Sequence, residues 1–310
     1  MKLRQPEFDA DEKRVHRAYQ SGLEANHWLD FPMIVSIETY SKCNAACSFC
    51  PYTELERHGA RLAPEKVKSL LDQVAAFEVH PERLTLCRVN EPLLDRRIFD
   101  YLEYAQSVLP TTTLCLFSNG QALTPEVIER LNHIKQFKNL NVSFNEHDPE
   151  IYHKVMGLDY SKTLPRLDAL FSQREAGELN FGLSISRVGT SDAQDDAFLD
   201  WCRQRWPGVP AQSLARMTWV GTETGEIVQA PRAGCTQWFS LHVLADGSCA
   251  FCCIDGFGSG TPQHVDEHTL LEIYNTPAKR RMRERETFRT EVEGCAQCVH
   301  GMSSGAYGRA

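Results

Sequence analysis

Residues 33–50 read Met-Ile-Val-Ser-Ile-Glu-Thr-Tyr-Ser-Lys-Cys-Asn-Ala-Ala-Cys-Ser-Phe-Cys. The first seven, Met33–Thr39, follow Pro32 and are rich in branched apolar residues, so they predict a strand. The chain then runs into Cys43, Cys47 and Cys50, spaced C-x3-C-x2-C in the loop after that strand. This spacing lets three thiolates converge from one short loop. Zinc would need a fourth ligand, and the next cysteine, Cys87, is far along the chain. A cubane iron–sulfur cluster usually takes four cysteines. Three would leave one iron open to a substrate or cofactor, the mark of a reactive rather than a closed structural centre.

Outward from this stretch the chain alternates between short apolar runs and longer segments of helical period. Strands are predicted at Met33–Thr39, Arg83–Val89, Thr112–Ser118, Leu140–Asn145, Phe181–Arg187 and Arg216–Val220. Helices are predicted at Pro64–Phe77, Arg97–Val108, Pro125–Ile134, Lys162–Ala176 and Ala193–Arg205. Such alternation implies a parallel sheet with helices outside, and ligands then collect at the C-terminal ends of the strands. From Thr222 the rhythm is lost. Phe239–Leu244, Asp246-Gly247 and Ser248–Ile254 predict a hairpin, because Asp-Gly favours a tight turn. A helical segment from about Thr269 to Phe288, broken near Pro277, follows. The organisation expected is a helical lead-in at 1–30, an α/β domain at 31–222 and a smaller domain with a polar tail at 223–310.

Of the 310 residues 42% are apolar and 24% charged, which is ordinary globular composition. Lys plus Arg number 33 against 41 Asp plus Glu, a net charge of −8. That balance lacks the basic footprint of a nucleic-acid binder and suits a cationic or neutral small substrate. Met1–His16 is charged throughout, without the apolar core of a signal peptide. No apolar run reaches the roughly eighteen residues of a membrane span. The chain therefore reads as cytoplasmic, where the thiols of its 12 cysteines stay reduced and clustered ones bind metal or do chemistry.

Cys43-Asn-Ala-Ala-Cys47-Ser-Phe-Cys50 resembles the signature of radical S-adenosylmethionine (SAM) enzymes, including the aromatic Phe49 before the last cysteine. Three further stretches carry the resemblance. Leu86-Cys-Arg-Val-Asn-Glu91-Pro92-Leu-Leu is similar to the family's GGEP segment, with Val89-Asn90 in place of its glycines. Phe117-Ser118-Asn119-Gly120 is similar to the TNG turn, and Asn141-Val-Ser143-Phe-Asn145 to the strand whose serine approaches SAM. The resemblance implies a partial (β/α)6 barrel of the TIM type. It implies a [4Fe–4S] cluster on Cys43, Cys47 and Cys50, and SAM held by Phe49, Asn90, Glu91, Ser118, Asn119 and Ser143. Arg187, ending the fifth strand, is expected to point toward the barrel mouth and is a candidate for the SAM carboxylate; an ordinary surface arginine is the alternative.

A second set, Cys235, Cys249, Cys252, Cys253, Cys295 and Cys298, lies in the last quarter. Cys235, Gly247 and Cys252 resemble the C-x(9–15)-G-x4-C pattern of SPASM and Twitch domains, which extend many radical SAM enzymes. The resemblance implies an auxiliary [4Fe–4S] cluster on Cys235, Cys252, Cys295 and Cys298; a four-cysteine zinc site is the bland alternative. Along a strand from Ser248 to Cys253, Cys249 shares a face with Cys253 and opposes Cys252. Cys249 is thus a spare thiol beside a cluster and a candidate hydrogen-atom donor, against the alternative of a small buried residue. Cys87, Cys115 and Cys202 are expected in the core. The basic run Lys279, Arg280, Arg281, Arg283, Arg285 and Arg289 reads as a solvated helix face.

Peptide-maturing family members usually carry a leader-binding module before the barrel, and only about thirty residues precede the first strand here. The resemblance therefore points to small-molecule members of aminoglycoside biosynthesis, and within them to the epimerases. It implies a cationic aminoglycoside substrate and an external one-electron reductant of flavodoxin or ferredoxin type. SAM would be cleaved to methionine and a 5′-deoxyadenosyl radical, which removes hydrogen from one sugar carbon, and Cys249 would return hydrogen from the opposite face. The alternative is a dehydrogenase of an amino-sugar or cyclitol alcohol, with the auxiliary cluster as electron acceptor. A metal-stabilised binding protein is the non-enzymatic reading.

Overall fold

Strand β1 (Ile34–Ile37) is buried at every position and pairs on both edges in parallel. It belongs to a computed structural model that describes residues 10–189, 193–216, 219–220, 233–284, 287–292 and 294–301, with only the backbone at 10 and 11. On one side of β1 stand β2 (Arg83–Thr85), β3 (Thr113–Ser118), β4 (Phe137–Ser143), β5 (Gly182–Val188) and β6 (Ala211–Leu214). On the other stand β7 (Ser240–Val243) and β8 (Cys249–Ala250). The sheet order is β6-β5-β4-β3-β2-β1-β7-β8, with parallel pairing throughout except between β7 and β8.

Each parallel step is made by helices on the outer face: α2 (Pro64–Ala75), α3 (Ile98–Val108), α4 (Pro125–His133), α5 (Pro149–Met156), α6 (Tyr160–Glu175) and α7 (Ala193–Arg205). Their starts follow from the sequence. Pro125 occupies the first turn of α4 while the Thr124 hydroxyl caps Val127 N at 3.3 Å. Alternate strand residues such as Val35, Ile37, Leu84 and Leu114 meet Val67, Leu70 and Leu102 of the helices in one core. This is the α/β fold expected, a mostly parallel sheet consistent with a partial barrel. Preceding it, α1 (Ala10–Glu24) places Tyr19 in a second core with Trp238 and Phe239.

Four features differ from the sequence reading. The sixth strand is Ala211–Leu214, ahead of the expected Arg216–Val220, part of which lies outside the described residues. Helix α5 was not anticipated, although Asp148 caps it and Gly157 ends it with φ 65°. The Asp-Gly hairpin forms, but β7 extends the barrel sheet alongside β1 instead of standing apart from it. The late helical segment is two short pieces, α8 (Leu270–Tyr274) and α9 (Pro277–Arg281).

Candidate active site

The loop after β1 is pinned from both ends. Ala46 N and Ser48 N donate to the carbonyls of Met156 and Val155 at 3.0 and 2.9 Å, and Trp219 Nε1 donates to Phe49 O at 2.7 Å. Ala46 also lies against Gly157, where a Cβ would approach to 3.1 Å. This close approach and the positive φ both explain the glycine. Cys43, Cys47 and Cys50 thereby face one cleft of about 300 Å³ at the C-terminal ends of the strands.

The other strand ends complete the cleft. Glu91, 2% exposed, accepts hydrogen bonds from Ser118 Oγ at 2.9 Å, Asn119 N at 2.8 Å and Leu93 N at 3.2 Å. Asn119 Nδ2 donates to Asn44 Oδ1 at 2.8 Å, tying the third strand's turn to the cysteine loop. Asn90 bonds Arg88 N and Tyr40 O, so its side chain braces the turn that carries Glu91. Ser143, Asn141 and Ser186 line the far wall, with Ser186 Oγ donating to Asn141 Oδ1 at 2.7 Å. Phe49, Asn90, Glu91, Ser118, Asn119 and Ser143 are therefore brought together with the three cysteines. Asn141, Ser186, Tyr52 and Trp219 join them without having been singled out as site residues; the alternation of β4 and β5 was the available signal for the first two.

Arg187 is not brought there. Side chains alternate along β5, so Ser186 and Val188 face the cleft while Arg187 points to the helices. It is 3% exposed, ion-paired to Asp195 at 3.1 Å and Glu146 at 3.5 Å, and lies over the Phe198 ring.

Burial pushes the Cys43 thiol up to about 12 and raises Cys47 and Cys50 as well. A bound cation must displace those protons, so loading is coupled to proton release. Among the described residues no three His, Cys, Asp or Glu side chains converge as a single metal ion requires. The three cysteines instead border an open cleft, and an all-thiol donor set suits iron–sulfur chemistry.

Of the second set, Cys235 and Cys295 pack with Tyr19, Trp28, Trp238 and Phe239. Cys235, Cys252, Cys295 and Cys298 come from three separate segments, yet Cys235 and Cys298 perturb both Cys252 and Cys295. Cys253 joins them, its Sγ 3.4 Å from His300 Nδ1. It also borders a cavity of about 890 Å³ on the inner face of the sheet, with Ser36, Thr85, Gln212 and His242. Phe117 and Arg88 line both cavities, and Phe117 is 47% exposed.

Cys249 is placed differently from the expectation. Strand β8 ends at Ala250, so alternation does not carry to Cys253. Cys249 pairs with Val243 and shares its helix-facing side, fully buried, and it does not border either cavity. All twelve cysteines are free thiols.

Residues 37–174 match the Radical SAM superfamily, and residues 235–299 match SPASM, an iron–sulfur cluster-binding domain. The chain joins a radical SAM domain to a SPASM domain. A radical SAM domain implies a [4Fe–4S] cluster and SAM, and a SPASM domain implies additional iron–sulfur clusters. Several solved structures share the fold. Streptococcus suis SuiB bound to S-adenosylmethionine is 16% identical with a TM-score of 0.65, over 91% of this chain and 74% of SuiB. BtrN in complex with AdoMet and 2-DOIA is 14% identical with a TM-score of 0.56, over 88% of this chain and 95% of BtrN. Native anSMEcpe with AdoMet and Cp18Cys peptide is 14% identical with a TM-score of 0.59, over 86% of this chain and 87% of that chain. No curated protein sequence matches the chain. No helix among the described residues is long and apolar enough to cross a membrane.

Proposed function

We propose that this radical SAM enzyme is an epimerase that inverts one carbon of an aminoglycoside sugar. The carrying observation is the cleft that joins Cys43, Cys47 and Cys50 to Glu91, Ser118 and Asn119 and adjoins the larger inner cavity at Phe117 and Arg88. Bound there, the cluster and SAM supply a radical that removes a hydrogen atom from an unactivated C–H bond. Glu91 would hold the amino group of SAM, with Ser118 and Asn119 fixing the carboxylate. In the inner cavity Ser36, Thr85, Thr113 and Gln212 offer hydroxyl and amide groups to a polyhydroxylated ring. His242, 1% exposed with neither ring nitrogen bonded, would join them as a neutral imidazole, since burial lowers its pKa.

Inversion needs hydrogen returned from the face opposite the abstraction, and a thiol that gives it is left as a sulfur radical, to be restored by one electron from the auxiliary cluster and a proton from solvent. Cys249 fits as a thiol that belongs to neither cluster set, and burial pushes its pKa up to about 12, keeping the S–H bond intact. Its outward face means that donation requires the β7–β8 hairpin to turn toward the cavity. Chain length, this cysteine two residues after Gly247 and the Asn90-Glu91-Pro92 variant resemble neomycin C epimerase. The proposed reaction is accordingly neomycin C to neomycin B at C-5‴, with an external flavodoxin- or ferredoxin-type reductant, in a reducing cytoplasm.

A second reading, oxidation of an amino-sugar or cyclitol alcohol with auxiliary iron–sulfur as electron acceptor, is favoured by the outward placement of Cys249. The fold shared with BtrN, solved with 2-DOIA, is compatible with it. Anaerobic turnover in D2O separates the two. Epimerisation places one deuterium at the inverted carbon, whereas a product two mass units lighter means oxidation. Cys249→Ala should abolish inversion while SAM cleavage continues; full activity in that variant sinks the donor role. A peptide belongs in the substrate panel, because SuiB and anSMEcpe were solved with peptides.

A further inference from the structure

Three basic side chains surround the auxiliary cysteines, and each keeps a buried nitrogen without a hydrogen-bond partner: Arg88 Nε, Lys279 Nζ and Arg289 Nε. Arg88 Nη2 donates to Cys252 O at 2.9 Å and to Asp255 O at 3.4 Å. Arg289, 1% exposed, donates through Nη1 to Cys298 O at 3.1 Å. Lys279 lies on α9 and is 6% exposed; burial lowers its pKa to about 8, with Arg283 acting in the same sense and Cys249, Cys252 and Asp255 favouring its charge. Asp255 stabilises that charge at a distance but is not hydrogen-bonded to it. That carboxylate already accepts from Phe251 N, Ser259 N and Gly260 N at 2.8, 3.0 and 3.1 Å. Lys279 was expected on a solvated helix face, and the structure turns it inward instead.

An unpaired ammonium inside a protein is strongly unfavourable unless a negative group faces it. A thiolate-ligated iron–sulfur cluster is such a group, and it becomes more negative with each electron it accepts. Fixed buried cations favour the reduced form, since net charge and hydrogen bonding around a cluster set its potential, and burial spares them from screening by salt. We propose that Arg88, Lys279 and Arg289 form a cationic cradle that raises the reduction potential of the auxiliary cluster. The cradle makes that cluster an electron-transfer partner of the active site, and it rests on the assignment of iron–sulfur to Cys235, Cys252, Cys295 and Cys298. The step is a one-electron reduction of the cluster, by a substrate radical or by the external flavodoxin- or ferredoxin-type reductant, in which no bond of the cluster is made or broken.

Lys279 is the residue to change, because Arg88 and Arg289 also hold the carbonyls of cluster cysteines. The parent for the test is the full chain carrying Cys43→Ala, Cys47→Ala and Cys50→Ala, which leaves the auxiliary cluster alone. Iron and sulfide are counted, and the cluster is titrated with dithionite under EPR. Lys279→Met should lower the ratio of reduced to oxidised cluster about tenfold at the parent's midpoint, a shift of about 59 mV. Lys279→Arg should restore it, and Arg281→Met, on the exposed side of α9, should leave it in place. A Lys279→Met protein that keeps its iron and titrates with the parent overturns the cradle. If that variant loads no iron, Lys279→Gln is titrated in its place against the same criterion. A parent without about four irons overturns the cluster assignment and the cradle with it, and is told apart by the iron count.

Discussion

Glu91 carries the sharpest consequence of single-residue chemistry. Burial pushes its carboxyl up to about 7, despite the hydrogen bonds from Asn119 N, Ser118 Oγ and Leu93 N. The group is neutral below that value and charged above it. If it binds the ammonium of SAM, affinity should be weak near pH 6, rise through pH 7 and level off above it. Equilibrium dialysis of SAM against the iron-loaded enzyme across that range checks the profile. Glu91→Gln should flatten it and weaken binding by about 2 kcal/mol, roughly thirtyfold. Most cleft residues were legible because cysteine spacing and strand-end motifs are local signals. Arg187 was misplaced because a one-residue step along a strand reverses the face, and nothing local marks Glu146 and Asp195 as its ion-pair partners. The face that Cys249 occupies was misread for a related reason: alternation was extended past Ala250, where β8 stops.

At the scale of elements, the β/α alternation named five of the six barrel strands because each carries apolar residues in a continuous or alternating pattern. The sixth escaped because Ala211-Gln-Ser-Leu214 has little β-branched character; it is held as a strand by pairing with β5 from Ile185 to Val188. Helix α5 was legible in Asp148, Pro149 and Gly157 but too short to register as a period. The parallel join of β7 to β1 was not legible, since a tight Asp-Gly turn specifies only the antiparallel neighbour β8. That join makes a prediction. A chain ending at residue 222 would strip β1 of its ladder from Ile34 to Ile37 and leave a fully buried strand as a bare edge. Such a fragment should aggregate on size-exclusion chromatography, whereas the full chain should not.

Over the whole molecule, one buried ion pair ties the two cysteine regions together. Glu38, at the end of β1, is fully buried and accepts from Arg57 Nε at 2.8 Å, Val89 N at 3.0 Å and Ala245 N at 3.2 Å. Arg57 in turn donates to Gly256 O at 2.6 Å. The loop bearing Cys43, Cys47 and Cys50, the turn bearing Glu91 and the hairpin that leads to Cys252 are therefore tied to one carboxylate and its arginine. Arg57→Met would leave that charge unpaired and should cost about 3–5 kcal/mol, read as a lowered midpoint in urea. It should also reduce the iron retained after reconstitution. Nothing in composition foretold this tie, because its partners are brought together only by the closed fold.

The pairing of Ile34 with Ser240 through Ile37 with Val243 has a last consequence. The hydrogen-bonded ladder, and not a tether between domains, sets the separation of the two thiol centres. Electron tunnelling falls off exponentially with distance, so a flexible linkage would make transfer between them intermittent. Here the ladder fixes the gap, so the rate of any electron transfer between the two centres should be set by the architecture rather than by domain motion.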